Sequence, residues 1–267
     1  MPTEPLAAVV CGIPFSGTTL TSRIICAHPF IDSGFECGLL FGDNPSEFIF
    51  KANKFYNWMM SHEPPYNWKL TKSQMDDITK SDGFYEAYAK IIKHCELFQK
   101  EKKYVLDKTP AYIYKLKQKM QLVPNTPFII VVKEPMSQYY SFKKRDLSLN
   151  DFVDAYSKFS KSKQEILSDN NLSSRLIVLN YGYVNQYPGR TYRKIINFLN
   201  KFNTEIRFNK NQIPLLNKQL KSDIRNQKKL RPKFDYEEEK KKFSKLITKN
   251  EFMTIERLFN NNTNFEL

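Results

Sequence analysis

Glycine is scarce in this chain, with 8 residues in 267. Five of the glycines fall within the first 42 positions, so backbone that needs positive φ or a close approach is concentrated near the N-terminus. There are four cysteines, Cys11, Cys26, Cys37 and Cys95, and no C-x-x-C pair. That excludes a disulfide framework and a zinc ribbon, and it predicts reduced thiols. No apolar run reaches the roughly 18 residues of a membrane-spanning helix. The opening residues MPTEP carry no basic segment or apolar signal stretch. The expectation is therefore a cytoplasmic protein of bacterial or viral type. Internal repeats and Pro/Gly/Ser linkers are missing too, which predicts one domain over residues 1–267.

The composition is that of a globular protein, 41% hydrophobic and 26% charged. The net charge is +14 and unevenly spread. Residues 1–100 carry 9 Lys/Arg against 11 Asp/Glu, and residues 101–267 carry 33 against 17. The stretch 207–249 alone holds 14 basic and 5 acidic residues. Such a field suits anionic partners: nucleotides, nucleic acids, acidic glycans or anionic lipid. No nucleic-acid-binding motif accompanies it, so nucleic acid is not expected as a partner.

Hydrophobic patterning gives the architecture. Leu6 to Cys11 and Pro127 to Val132 are short continuous apolar runs, the signature of buried parallel strands. Tyr104 to Leu106 and Arg175 to Leu179 read as further strands. Helices are predicted after Gly17, stopping near His28-Pro29, then over Ala111–Leu122, Met136–Lys144, 150–168 and Arg190–Asn203. Strands alternating with helices predict an α/β protein with a parallel sheet flanked by helices. Residues 39–100 break that alternation. They are rich in aromatics, with Pro64-Pro65 between them, and predict a helical insertion on the acceptor side of a site, with its aromatics serving either as core or as an acceptor pocket. Residues 207–267 form a basic C-terminal segment, with two charged helices predicted from Phe234 to Phe259.

The string Gly12-Ile13-Pro14-Phe15-Ser16-Gly17-Thr18-Thr19 joins the first strand to the first helix. Its backbone N–H groups, the helix dipole and the hydroxyls of Ser16, Thr18 and Thr19 would converge on one anion. The spacing is that of a phosphate-binding Walker loop, but Thr18 stands where the lysine belongs. A kinase would lack that cation on its phosphates. Lys133, at the end of the clearest strand, lies where open α/β sheets bind ligands. Ser141 follows two helical turns later. A loop for one phosphate and a Lys–Ser pair for a second suit a ligand with two separated phosphates better than a triphosphate.

These segments together resemble the sulfotransferases that use 3′-phosphoadenosine 5′-phosphosulfate (PAPS). The resemblance rests on G-x-P-x-S-G-T-T-L, on Val132-Lys133-Glu134-Pro135 with Ser141, on Leu106-Asp107-Lys108-Thr109-Pro110 and on Leu179 to Val184. It spans residues 8–200 and implies the P-loop-like sulfotransferase fold, PAPS as donor, 3′-phosphoadenosine 5′-phosphate (PAP) as product and no metal. By the resemblance, Pro14, Phe15, Ser16, Gly17, Thr18 and Thr19 would hold the 5′-phosphosulfate, and Lys133 and Ser141 the 3′-phosphate. Tyr181 would face adenine, and Arg231, from the late basic segment, would close over the 3′-phosphate. Lys144 and Arg145 would lie near that phosphate.

Lys108 would contact the transferring group. Glu36, 21 residues after Phe15, matches the spacing of the base in the tyrosylprotein branch. Phe15 departs from the family, which puts Lys or Arg there, and Pro110 stands where the small-molecule branch has a catalytic histidine. The expected activity is sulfuryl transfer from PAPS to a hydroxyl, a saccharide favoured. Tyrosine or a small alcohol is the alternative acceptor, and a PAP- or polyanion-binding protein without activity is the alternative function.

Overall fold

The run Leu6–Cys11 offers no polar face, so it is stable only with both faces covered. It forms β1, buried along its whole length, at the centre of a five-stranded sheet. The computed structural model describes residues 4–98, 101–217, 220, 241 and 247–260. The other strands are β2 (Ile31–Asp32), β3 (Tyr104–Lys108), β4 (Phe128–Val132) and β5 (Leu176–Asn180). Their order is β2-β3-β1-β4-β5, and every pairing is parallel. The α/β class and the parallel sheet expected from the sequence are both present.

Helix α1 (Thr18–Ile25) leads from β1 towards β2 at the edge. Among the described residues four α-helices follow before β3: α2 (Phe48–Lys51), α3 (Asn53–Met60), α4 (Lys72–Thr79) and α5 (Phe84–His94). The chain returns through β3, then crosses β1 to reach β4 by way of α6 (Leu116–Leu122). Strand order thus reverses beside β1, which opens a crevice at the carboxyl ends of the strands. Helices α7 (Pro135–Lys143), α8 (Leu149–Leu167) and α9 (Asn170–Ser174) lie between β4 and β5. Helices α10 (Tyr181–Gln186) and α11 (Pro188–Asn200) follow β5, and α12 (Lys249–Asn260) comes last.

The period-two alternation of the strands divides the core in two. Val9, Cys11, Val105, Phe128 and Ile130 pack with Tyr88, Tyr112 and Phe152 on one face. Ala8, Val10, Leu106, Ile129 and Val131 pack with Ile24, Ile25, Tyr192 and Ile195 on the other. Among the described residues no helix is long and apolar enough to cross a membrane.

Two sequence expectations are corrected. Ala111–Leu122 is not one α-helix: a 3₁₀ stretch over Pro110–Lys115 precedes α6. The Tyr112 side chain there is tied to Asp107 and to Leu40, which holds the chain close against the end of β3. Arg175 is not a strand residue. Its guanidinium donates to the carbonyls of Met120, Val123 and Thr126, tying the end of α6 to the turn before β4. The 39–100 insertion is helical as expected, and its aromatics Phe48, Tyr56, Trp68, Phe84 and Tyr88 are core residues. The two-residue β2 had no sequence signal. Residues 234–240 and 242–246 of the predicted Phe234–Phe259 helical pair, and Arg231, lie outside the described residues; α12 covers the end of the pair.

Candidate functional site

The carboxyl ends of β1, β3, β4 and β5 converge, and every sequence-predicted site residue that is described lies on or beside them. The β1 and β3 ends are stitched by the Thr109 N–H to the Val10 carbonyl (3.1 Å) and the Gly12 N–H to the Pro110 carbonyl (3.2 Å). After β1, Gly12 leaves no room for a side chain: a Cβ would fall 2.4 Å from the Val131 oxygen. Gly17 has φ 102°, where glycine is favoured, and begins α1 with no side-chain cap. The first N–H groups of α1 are thus left to an anion. Ser16 Oγ is buried and has no hydrogen-bond partner among the described residues. An orphaned hydroxyl inside a turn of backbone donors is what a phosphate cradle needs. Thr18 is buried and Thr19 exposed beside it. Gln138 on α7 braces the loop by donating to the carbonyls of Ile13 (3.1 Å) and Pro14 (2.9 Å).

Phe15 also lies in the left-handed region, at φ 70°. For a non-glycine residue that costs about 1–2 kcal/mol. Its ring meets Phe142 edge to face, with centroids 5.3 Å apart. The Arg145 guanidinium lies 4.0 Å from the Phe15 ring centroid.

A second group of polar side chains that could hold an anion lies after β4. Lys133 Nζ donates to Ser141 Oγ (3.0 Å), so the predicted cation and hydroxyl meet. Glu134 accepts from the Met136 and Ser137 N–H groups and caps α7, which fixes the helix that carries Ser141. Tyr181, opening α10, lies between the loop after β1 and that pair. Its ring would collide with any Cβ at Gly17, at 2.1 Å, and Lys133 Nζ is 5.3 Å from its centroid. The loop after β1, the Lys133–Ser141 pair and the Tyr181 face together fit a nucleotide with two separated phosphates.

The third part is an ion pair. Lys108 Nζ lies 3.4 Å from Glu36 Oε1, with side chains 3% and 22% exposed. Burial holds the Lys108 pKa below the ordinary lysine value, against the pull of Glu36 and Asp107. Lys108 also sits 4.4 Å over the ring of Phe35. The loop bearing Glu36 is pinned from two sides. Trp68 Nε1 donates to the Phe35 carbonyl (3.1 Å), and Gly34 presses on the Trp68 ring.

The other pin is Asp107, which the sequence reading missed as a functional residue. It is fully buried and accepts from Tyr88 Oη (2.6 Å), Thr109 Oγ1 (2.7 Å) and Tyr112 Oη (3.0 Å). Thr109 in turn accepts the Gly38 N–H (3.0 Å), and Tyr112 accepts the Leu40 N–H (2.9 Å). Burial raises the Asp107 pKa, the three donors opposing it. The only sequence signal was an acid buried by alternation beside a strand-end lysine.

Around Glu36 the insertion presents a half-buried aromatic wall. Phe35 meets Trp58 and Tyr66 edge to face, each at 5.3 Å, and Trp58 stacks on Tyr66 at 5.1 Å. Lys54 lies 4.6 Å over Trp58.

Comparison with known proteins agrees with this geometry. A Caenorhabditis briggsae protein bearing the name of a protein-tyrosine sulfotransferase is 29% identical over 196 residues, 71% of this chain. The match spans 64% of that relative's length. The sulfotransferase domain of the Synechococcus PCC 7002 olefin synthase superposes with a TM-score of 0.52 at 20% identity, covering 72% of each chain. Sulfotransferase STF9 of Mycobacterium avium gives a TM-score of 0.53 at 13% identity, covering 100% of this chain and 78% of its own. At such identities the two structures speak for the fold alone. Residues 7–201, most of the chain, match the sulfotransferase family, and the chain belongs to that family.

Proposed function

We propose that this protein transfers a sulfuryl group from PAPS to a hydroxyl, working as one domain over residues 1–267. The observation that carries the reading is the Glu36–Lys108 pair, held beside a loop that carries an orphaned Ser16 hydroxyl and an uncapped helix start. Pro14 to Thr19 receive the 5′-phosphosulfate. Lys133 and Ser141 receive the 3′-phosphate, and Tyr181 flanks the adenine. The donor supplies a sulfuryl group on a phosphate leaving group. The acceptor oxygen bonds to sulfur as the bond from sulfur to the bridging oxygen breaks. A Glu36 carboxylate oxygen takes the acceptor proton. The Lys108 ammonium meets the charge that develops on the bridging oxygen.

The acceptor we favour is a phenolic hydroxyl, as in tyrosine, in place of the saccharide favoured from the sequence. The aromatic wall of Phe35, Trp58 and Tyr66 adjoins Glu36 and suits a planar ring. A phenol, with a pKa of about 10, also asks less of a carboxylate base than a sugar hydroxyl does. The name of the nematode relative points the same way. A saccharide is the second reading, supported by Lys54 over the Trp58 face, which would suit an acidic sugar.

The test is calorimetric titration of the full chain with PAP, with ATP and AMP as controls. Labelled PAPS is then offered with a tyrosine-containing peptide or with acidic saccharides. Selective PAP binding and label on the peptide, lost in Glu36→Gln, support the reading. Equal, weak binding of PAP and ATP overturns it.

A further inference from the structure

The proposed reaction asks Glu36 and Lys108 to act on different molecules, the base on the acceptor and the cation on the donor. The structure instead points them at each other, with Lys108 Nζ donating to Glu36 Oε1 at 3.4 Å. A carboxylate beside an ammonium is held in its charged form and takes up a proton poorly. An ammonium turned to that carboxylate is not turned to the donor. The pair as it stands serves neither task, and one partner has to leave before the chemistry can run.

Glu36 is the fixed partner. Phe35 before it is held through its carbonyl by Trp68 Nε1 (3.1 Å), and Gly38 after it donates its N–H to Thr109 Oγ1 (3.0 Å). Lys108 is the movable one. Its ammonium sits on a flexible four-carbon stem. Among the described residues Glu36 is its only hydrogen-bond partner, and 3.4 Å is longer than the usual range of about 2.7–3.2 Å. Two other charges act on the ammonium. Asp107 attracts it but is occupied by three hydroxyls, and Arg23 of α1 repels it. Lys108 stands opposite Val10 in the sheet, two residues before the loop that opens at Gly12. A phosphate in that loop offers the ammonium more charge and more acceptor oxygens than one carboxylate does.

We propose that the Glu36–Lys108 pair is a latch that the donor opens: an anion in the loop draws Lys108 away from Glu36 and so frees the carboxylate to take the acceptor proton. Without the donor, an acceptor meets a carboxylate that is already neutralised. The pair opposes donor binding, because that contact has to break when the donor enters. The inference rests on the roles proposed above for these two residues and for the loop.

The test is titration of the full chain with PAP for the wild type, Glu36→Gln, Lys108→Ala and the double variant. PAP is the right probe, since its 5′-phosphate keeps the oxygen that bridged to sulfur. Thermal melts check that each chain is folded. Glu36→Gln should tighten PAP binding several-fold, because Lys108 no longer has a partner to leave. In the Lys108→Ala background the same change should alter affinity by less than about twofold, since the two residues act as a unit. If Glu36→Gln binds PAP no tighter than the wild type, the latch is overturned. It is equally overturned if the gain persists without Lys108, for then the carboxylate merely repels the phosphate. Should Glu36→Gln not fold, Glu36→Asp, whose shorter chain lengthens the contact, decides by the same criteria. A wild type with no preference for PAP over AMP overturns the donor site itself. A Glu36→Gln chain that loses turnover and gains no affinity overturns the latch alone.

Discussion

Strands β3 and β4 flank β1, and each leads into a lysine beside an acid, in opposite order. β3 ends in Asp107-Lys108, acid first; β4 ends at Val132 and is followed by Lys133-Glu134, acid second. By alternation Lys108 follows Tyr104 and Leu106 onto the face packed by α1, while Lys133, just past β4, lies over the ring of Tyr181. The acids differ in what they hold. Asp107 turns into the opposite layer and gathers Tyr88, Thr109 and Tyr112, which fasten the loop bearing Glu36. Glu134 stays in line with the chain and caps α7, which fastens Ser141. A one-residue difference in register thus makes one lysine the partner of a proposed base and the other the partner of a hydroxyl. Burial sharpens the contrast, for Lys108 is almost wholly enclosed.

The largest effect that would test this contrast is at Lys108. Lys108→Ala should lower turnover about 10³-fold, the scale of losing a group that stabilises transition-state charge, while PAP affinity stays within a few-fold. A rate near that of the wild type would remove Lys108 from the chemistry. The sign of its pH dependence follows from burial. Its pKa is depressed in the folded protein, so the needed cation is lost as pH rises, before the ordinary lysine value of 10.5 is reached. The alkaline limb of kcat/KM should therefore lie below that value.

Lys133→Ala should do the opposite: PAP affinity falls about tenfold while kcat at saturating donor is retained. If kcat collapses instead, the two strand ends are not divided as described. Asp107→Asn should loosen the Glu36 loop. An expected loss of about 2 kcal/mol in urea unfolding would accompany a fall in kcat larger than any change in PAP affinity. The smallest effect is at Glu134→Ala, where loss of the α7 cap should destabilise the fold by about 1 kcal/mol and leave kcat nearly unchanged.

The sequence disclosed the loop after β1 and the Lys133–Ser141 pair better than the surroundings of Glu36, for physical reasons. The loop, Lys133 and Ser141 are local: a strand, a tight turn and a helix specify one another within a few residues. Buried runs such as Phe128–Val132 are equally local. The Asp107 network joins residues 19 and 5 positions away to backbone groups near 40. No periodicity reports such a contact. The 3₁₀ stretch after Pro110 escaped notice because Tyr112 is held there by the same distant groups. Phe15 read as a missing cation, since its contact with Arg145 depends on how α7 ends.

The four thiols acquire a use in this fold. All are buried, and burial raises the pKa of each, so in the closed protein they are poor nucleophiles. Cys11 immediately precedes the loop that opens at Gly12, and Cys37 immediately follows Glu36. Alkylation of these two positions therefore has to wait for β1 or the Glu36 loop to part from its neighbours. The rates at which Cys11 and Cys37 are alkylated therefore report how often the end of β1 and the Glu36 loop open.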